Sequence, residues 1–80
     1  MKVEVSMPKW GLTMEEGTLT NWLVQEGAQV KEGDILAEIE TDKILNQLEC
    51  PADGVMTKIL VPGGSEAVAV GTVLCEIETD

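Results

Sequence analysis

The chain contains no histidine and no arginine. Without histidine it lacks the side chain that most often does general acid–base work at neutral pH and most often binds zinc. Without arginine, five lysines stand against fifteen acids, giving a formal net charge of -10. That balance argues against nucleic acid and against anionic membrane surfaces, both of which call for basic patches. It suits basic protein partners, and solubility alone would also account for it. Cysteine is scarce: two residues allow one bridge at most, so this is no disulfide scaffold. Cys50 and Cys75 fall in apolar, strand-like stretches and read as small buried thiols. No signal peptide, transit peptide or membrane span is evident, and the chain runs straight into strand-like Val3-Glu4-Val5. A reducing cytoplasm is the expected compartment. No segment carries a sustained helical period with caps, so no helix is expected.

Eighty residues make one small domain, 1–80. A chain this short buries only about 60% of the surface it exposes unfolded, so its core is thin. There is no room for a deep catalytic pocket.

What the sequence does have is short strands. Lys2 to Met7 alternates, with Val3, Val5 and Met7 on one parity. Pro8-Lys9-Trp10-Gly11 breaks the strand and opens a loop that runs to Gly17. Trp10, Leu12 and Met14 are apolar residues in that loop. They either fold over the core or form a recognition surface. Strands are expected over 18–24, 35–41, 44–50, 55–61 and 72–79, with Gln29-Val30 a short one between turns. Pro51-Ala52-Asp53-Gly54 and Pro62-Gly63-Gly64-Ser65 read as turns. Many short strands at close spacing indicate an all-β sandwich or barrel.

The chain is organised around Glu38-Ile39-Glu40-Thr41-Asp42-Lys43-Ile44. Glu38, Glu40 and Asp42 share one parity, and Ala37, Ile39 and Thr41 the other. This is the pattern of a half-buried strand with its acids in water. The apolar signal resumes at Ile44, so Asp42-Lys43 marks a hairpin tip with its amine in solvent.

The sequence also repeats itself. Gly17 to Val24 lies over Gly54 to Val61, and Gly33 to Asp42 over Gly71 to Asp80, both of which end in Glu-Ile-Glu-Thr-Asp. The internal repeat spans 17–42 and 54–80. Two half-units, each with one apolar face, can bury those faces against each other. Two antiparallel sheets related by a pseudo-two-fold axis are expected, with Asp42 and Asp80 at opposite ends and the lysine far from both termini.

Met7-Pro8-Lys9-Trp10-Gly11, Glu16-Gly17-Thr18, Trp22-Leu23-Val24, Glu26-Gly27, Val30 to Asp34, Glu40-Thr41-Asp42-Lys43 and Pro51-Ala52-Asp53-Gly54 together form a pattern. In order and spacing it resembles the lipoyl domain of the biotinyl/lipoyl-attachment family. This is the swinging-arm module of the acyltransferase component of 2-oxo acid dehydrogenase complexes. The resemblance implies a flattened β-barrel, or barrel-sandwich hybrid, of two four-stranded antiparallel sheets. It implies lipoic acid in amide linkage on Lys43, with Asp42 and Ile44 as flanking recognition residues.

The implied function is carriage, not catalysis. Acyl groups and reducing equivalents pass between a thiamine-diphosphate-dependent decarboxylase, an acyltransferase catalytic domain and a dihydrolipoyl dehydrogenase, with a lipoate ligase or lipoyl transferase attaching the cofactor. The resemblance also implies that the 80 residues are a piece of a longer acyltransferase. Two residues depart from the pyruvate-type pattern: Ile44 stands where alanine is usual, and Asn46 where an apolar residue is usual. The form Asp-Lys-Ile-x-Asn looks closer to the acetoin dehydrogenase branch. Asn46 falls on the inward parity with Leu48 and Cys50, so it needs hydrogen-bond partners if buried.

Two other functions compete. A biotin carrier shares the fold, but its acceptor lysine usually lies between methionines, whereas here the neighbours are Asp42 and Ile44. An unmodified barrel acting as a binding module, like the lipoyl-like domains of membrane fusion proteins, would not need the lysine. An enzyme is disfavoured by the missing histidine and the thin core.

Overall fold

In the computed structural model the described residues are 1–41 and 44–79. They form eight strands: β1 (Lys2–Ser6), β2 (Glu16–Trp22), β3 (Gln29–Val30), β4 (Ile35–Thr41), β5 (Ile44–Glu49), β6 (Gly54–Ile59), β7 (Ser65–Ala69) and β8 (Val73–Glu78). The expected strands are present: 29–30 and 35–41 have the expected bounds, and the others have ends shifted by one or two residues. β7 is additional, because the sequence pattern marks a turn at 62–65 and no strand between it and Thr72.

The strands build two four-stranded antiparallel sheets, ordered β1-β8-β6-β3 and β5-β4-β2-β7. Moving each label on by four turns one order into the other, with β1 taken as the successor of β8. The pseudo-two-fold relation is therefore present in the topology itself. The half-units do not simply stack, however. Each gives its short strand away: β3 pairs with β6 of the second half, and β7 with β2 of the first.

Burial follows the same relation. Among the described residues fourteen apolar side chains are buried, and all fourteen fall into pairs. Leu19 corresponds to Met56, Val30 to Val68, Leu36 to Leu74, Ala37 to Cys75 and Ile39 to Ile77. Val5 corresponds to Leu48 and Met7 to Cys50, and their registers agree: Val5 lies opposite Cys75 as Leu48 lies opposite Ala37. Consecutive buried residues, Leu36-Ala37 and Leu74-Cys75, break strict alternation in β4 and β8. In β4 the reason is a register shift between Ile35 and Ala37, a bulge that turns two successive side chains inward.

Two glycines let strands close tightly on each other. A Cβ on Gly54 would collide with the backbone carbonyl oxygen of Glu78. At the equivalent Gly17 a Cβ would sit 3.0 Å from Ile39 Cγ2 and 3.2 Å from Thr41 Cγ2.

The segment after β6 crosses to the other sheet: Trp22 Nε1 donates to the carbonyl oxygen of Val61 at 2.8 Å, and the Gly64 N–H donates to the Leu19 carbonyl at 2.7 Å where the chain enters β7. The segment that follows β6 thus meets the C-terminal half of β2, with Gly63 lying against the backbone of Asn21. Gly17, beside Thr41, and Gly54, beside Glu78, occupy equivalent places in the two halves. The long dimension of the molecule is 35 Å.

Candidate functional site

The site is the pole where β4 passes to β5. Ile39 pairs with Asn46, Glu40 with Leu45 and Thr41 with Ile44. Asp42 and Lys43, the recognition aspartate and the acceptor lysine expected from the sequence, lie outside the described residues, as does Asp80. What the structure describes is the stem on either side of Asp42-Lys43.

Three features fix that stem. Thr41 is half-buried, with its methyl group over Gly17. Its hydroxyl accepts a hydrogen bond from Asn46 Nδ2 at 2.8 Å. Asn46 is half-buried on the inward parity and finds in Thr41 the partner that position demands. Ile44 and Leu45 are 61% and 56% exposed, two successive large apolar side chains in water. Ile44, the third residue expected at the site, is therefore on the surface at the stem.

The loop between β1 and β2 stands beside the stem. Its backbone is tied down by Met14 N–H to the Gly11 carbonyl at 3.1 Å and Val70 N–H to the Glu15 carbonyl at 3.0 Å. The Trp10 N–H points at Met14 Sδ, 3.3 Å away. The three apolar loop residues differ in burial. Met14 packs against the core, whereas Leu12 is 95% exposed and Trp10 is also exposed. Between loop and stem lies a cleft of about 450 Å³, walled by Trp10 and Met14 on one side and by Thr41, Ile44 and Asn46 on the other. Sequence reasoning left open whether this loop stands near the tip, and missed the cleft.

Acids dominate the surface here. Glu15, Glu16 and Glu40 are exposed, and Glu38 is half-buried with Oε1 accepting from Asn21 Nδ2 at 2.8 Å. Among the described residues, the side-chain ion pair between Lys2 and Glu76, at 3.4 Å, lies in the other sheet. Cys50 and Cys75 are buried free thiols, as the sequence suggested. Burial pushes both up, and Cys75 reaches about 12. They are inert core residues, not nucleophiles.

The opposite pole is the control for this one. There the Thr79 N–H donates to the Met1 carbonyl at 2.7 Å. The pseudo-two-fold relation carries Thr79 onto Thr41 and Met1 onto Ile44. Where Asp42-Lys43 bridges two strands in one half, the other half has the adjacent residues Met1 and Thr79.

Comparison with known proteins gives this geometry a family. The family described as Biotin-requiring enzyme, the biotin/lipoyl family, matches residues 3–77. The chain belongs to the biotin/lipoyl family. It is 58% identical over 74 residues to the dihydrolipoyllysine-residue acetyltransferase component of the pyruvate dehydrogenase complex of Zymomonas mobilis. That match covers 92% of this chain and 17% of the relative, so the chain spans about a sixth of the relative's length. The solution structure of the lipoyl domain of the 2-oxoglutarate dehydrogenase complex from Azotobacter vinelandii superimposes with a TM-score of 0.72 at 26% identity. The superposition covers 94% of this chain and 96% of that one. Urea carboxylase of Kluyveromyces lactis gives a TM-score of 0.79 at 20% identity, over 98% of this chain and 6% of that one. At that identity it attests the fold alone. Within the biotin/lipoyl family this is a lipoyl domain of the 2-oxo acid dehydrogenase acyltransferase type, a carrier module and not itself an enzyme. Of the three proteins named, the Zymomonas relative carries the pyruvate complex in its name and the Azotobacter structure the 2-oxoglutarate complex.

Proposed function

We propose that Lys43 is the residue that carries lipoic acid, in amide linkage, and that Asp42 and Ile44 flank it as the attaching enzyme reads it. The observation that carries this reading is the stem. Thr41 and Ile44 pair as the last described residues of β4 and β5, and the sequence between them is Asp42-Lys43. The surroundings fit an extended, uncharged arm. Ile44 and Leu45 offer apolar surface, the cleft offers space, and the described residues leave no buried polar side-chain atom unpartnered.

When attached, the lipoyl group supplies a dithiolane that takes up an acyl group together with two electrons. This chain supplies attachment, reach and recognition. Its partners are a thiamine-diphosphate-dependent decarboxylase, an acyltransferase catalytic domain, a dihydrolipoyl dehydrogenase and a lipoate ligase or transferase, all in the cytoplasm. Tethering to a complex makes each visit intramolecular, with effective concentrations in roughly the millimolar range for short flexible linkers. The pyruvate-type complex is the first to test, because the 58% identical relative is a pyruvate dehydrogenase component. The acetoin type comes second, on the form of Ile44 and Asn46. Residues 1–80 act as one folding unit.

The test is lipoylation by a lipoate ligase, read by peptide mass spectrometry. One lipoyl increment on Lys43, its loss in Lys43→Ala and no labelling by a biotin ligase are the expected results. Labelling that persists on Lys31 or Lys58 overturns the assignment.

A further inference from the structure

The two halves of this molecule differ most informatively at one pair of equivalent positions. Asn46 lies opposite Ile39 on β4, and Val3 lies opposite Ile77 on β8. Both are half-buried and face inward. The second half thus shows what the fold uses there when no hairpin must be presented: an aliphatic side chain. The first half uses an amide, whose burial is unfavourable unless it is hydrogen-bonded. The bond it makes goes to Thr41, the last described residue of β4. The equivalent Thr79 sends its hydroxyl elsewhere, to the Met1 carbonyl at 3.1 Å.

We propose that Asn46 is a positioning residue for cofactor attachment. By donating to the Thr41 hydroxyl it fixes the stem that brackets Asp42-Lys43 in the shape the attaching enzyme recognises. The inference rests on the assignment of Lys43 as acceptor. Thr41 is held from two directions, with its methyl over Gly17 and its hydroxyl on Asn46, which together fix its side-chain rotamer. Asn46 also forms part of the cleft wall, so the clip shapes the surface beside the acceptor as well as the stem.

The step that depends on this shape is an acyl transfer. The neutral Lys43 amine attacks the carbonyl carbon of a lipoyl adenylate supplied by the ligase. The amide C–N bond forms, the bond from that carbon to the phosphate oxygen breaks, and the adenylate leaves with the electron pair. The proton released from the amine passes to solvent or to a base of the ligase. Nothing is oxidised or reduced. The carrier's contribution is alignment, and small misplacements of a reacting group cost large factors in rate.

The experiment compares Asn46→Val, which installs the residue type of the other half, with wild type in a lipoate ligase assay with lipoyl adenylate. Thr41→Val, Thr41→Ser and the Asn46→Val/Thr41→Val double variant complete the set, with thermal unfolding of each. Asn46→Val is expected to unfold at the wild-type temperature or above. Its kcat/KM for lipoylation is expected to fall by about tenfold or more. Thr41→Ser keeps the hydroxyl but loses the methyl, and its rate should fall between those of wild type and Thr41→Val; the double variant should be no slower than the slower single one. A merely structural role would move stability and rate together. Wild-type kcat/KM in Asn46→Val overturns the inference and leaves the acceptor assignment standing. No lipoyl label on Lys43 of the wild-type protein overturns both.

Discussion

Cys75 shows how a single core residue sets the chain's response to pH. It is fully buried, and loss of hydration raises its thiol to about 12 from a reference value of 9.0, with Cys50 and Glu76 adding to the shift. Folding therefore favours the protonated thiol. In the unfolded chain the thiol ionises near its ordinary value, so above that point the unfolded state binds fewer protons than the native state. Stability is then lost as pH rises from about 9 toward 12, by up to about 1.4 kcal/mol per pH unit for one such group. The equivalent core position is Ala37, so Cys75→Ala installs a residue the fold already accepts there. The expected outcome is a smaller loss of stability between pH 8 and pH 10.5 in Cys75→Ala than in wild type, read as urea midpoints. An equal loss in both would show that this thiol does not titrate on unfolding.

At the scale of elements, most of the fold is legible in the sequence because period-2 patterning and turn residues coincide. β4 and β8 show it best, since both carry Glu-Ile-Glu at or one residue before their ends and glycine-led turns precede both. β7 does not. Its Ser-Glu-Ala-Val-Ala has low strand propensity, and Val68 is its single buried side chain. Its backbone is also irregular, with Ala67 at φ 54°, in the left-handed region. The signal that could have found it was the repeat, since Val68 lies over Val30 of β3. Because Ala67 is exposed and held where its Cβ is unfavourable, Ala67→Gly should relieve strain at no cost in burial. The expected gain is up to about 1 kcal/mol in denaturant unfolding, because the greater freedom of glycine in the unfolded chain offsets part of the relief. A loss of stability would mean that β7 is regular in solution. At the candidate site the stem residues were legible and the clip between Asn46 and Thr41 was not. It depends on a rotamer and a neighbour across a strand pair, which no periodicity encodes.

At the scale of the molecule, the pseudo-two-fold relation separates the ends of the chain from the hairpin. Met1 and Thr79 are joined by backbone hydrogen bonding beside Gly54, while Thr41 and Ile44 pair beside Gly17, and these are equivalent places in different sheets and different halves. A carrier held through either end therefore presents its hairpin away from the attachment point. A net charge of -10 disfavours self-association of the domain. Two fusions of the same bulky protein discriminate this arrangement from an accidental one. Joined ahead of Met1 or after Asp80 through a short flexible linker, the bulky partner should leave the rate of lipoylation within about twofold of the free chain, since it meets neither stem nor cleft. Inserted at Leu12, an exposed loop position of the kind where insertions leave a fold intact, it sits beside the cleft and should slow the reaction by at least about tenfold through obstruction, with thermal unfolding of the fusion as the check that the sheets persist. Equal slowing by all three fusions would show that the hairpin and the chain ends share one face.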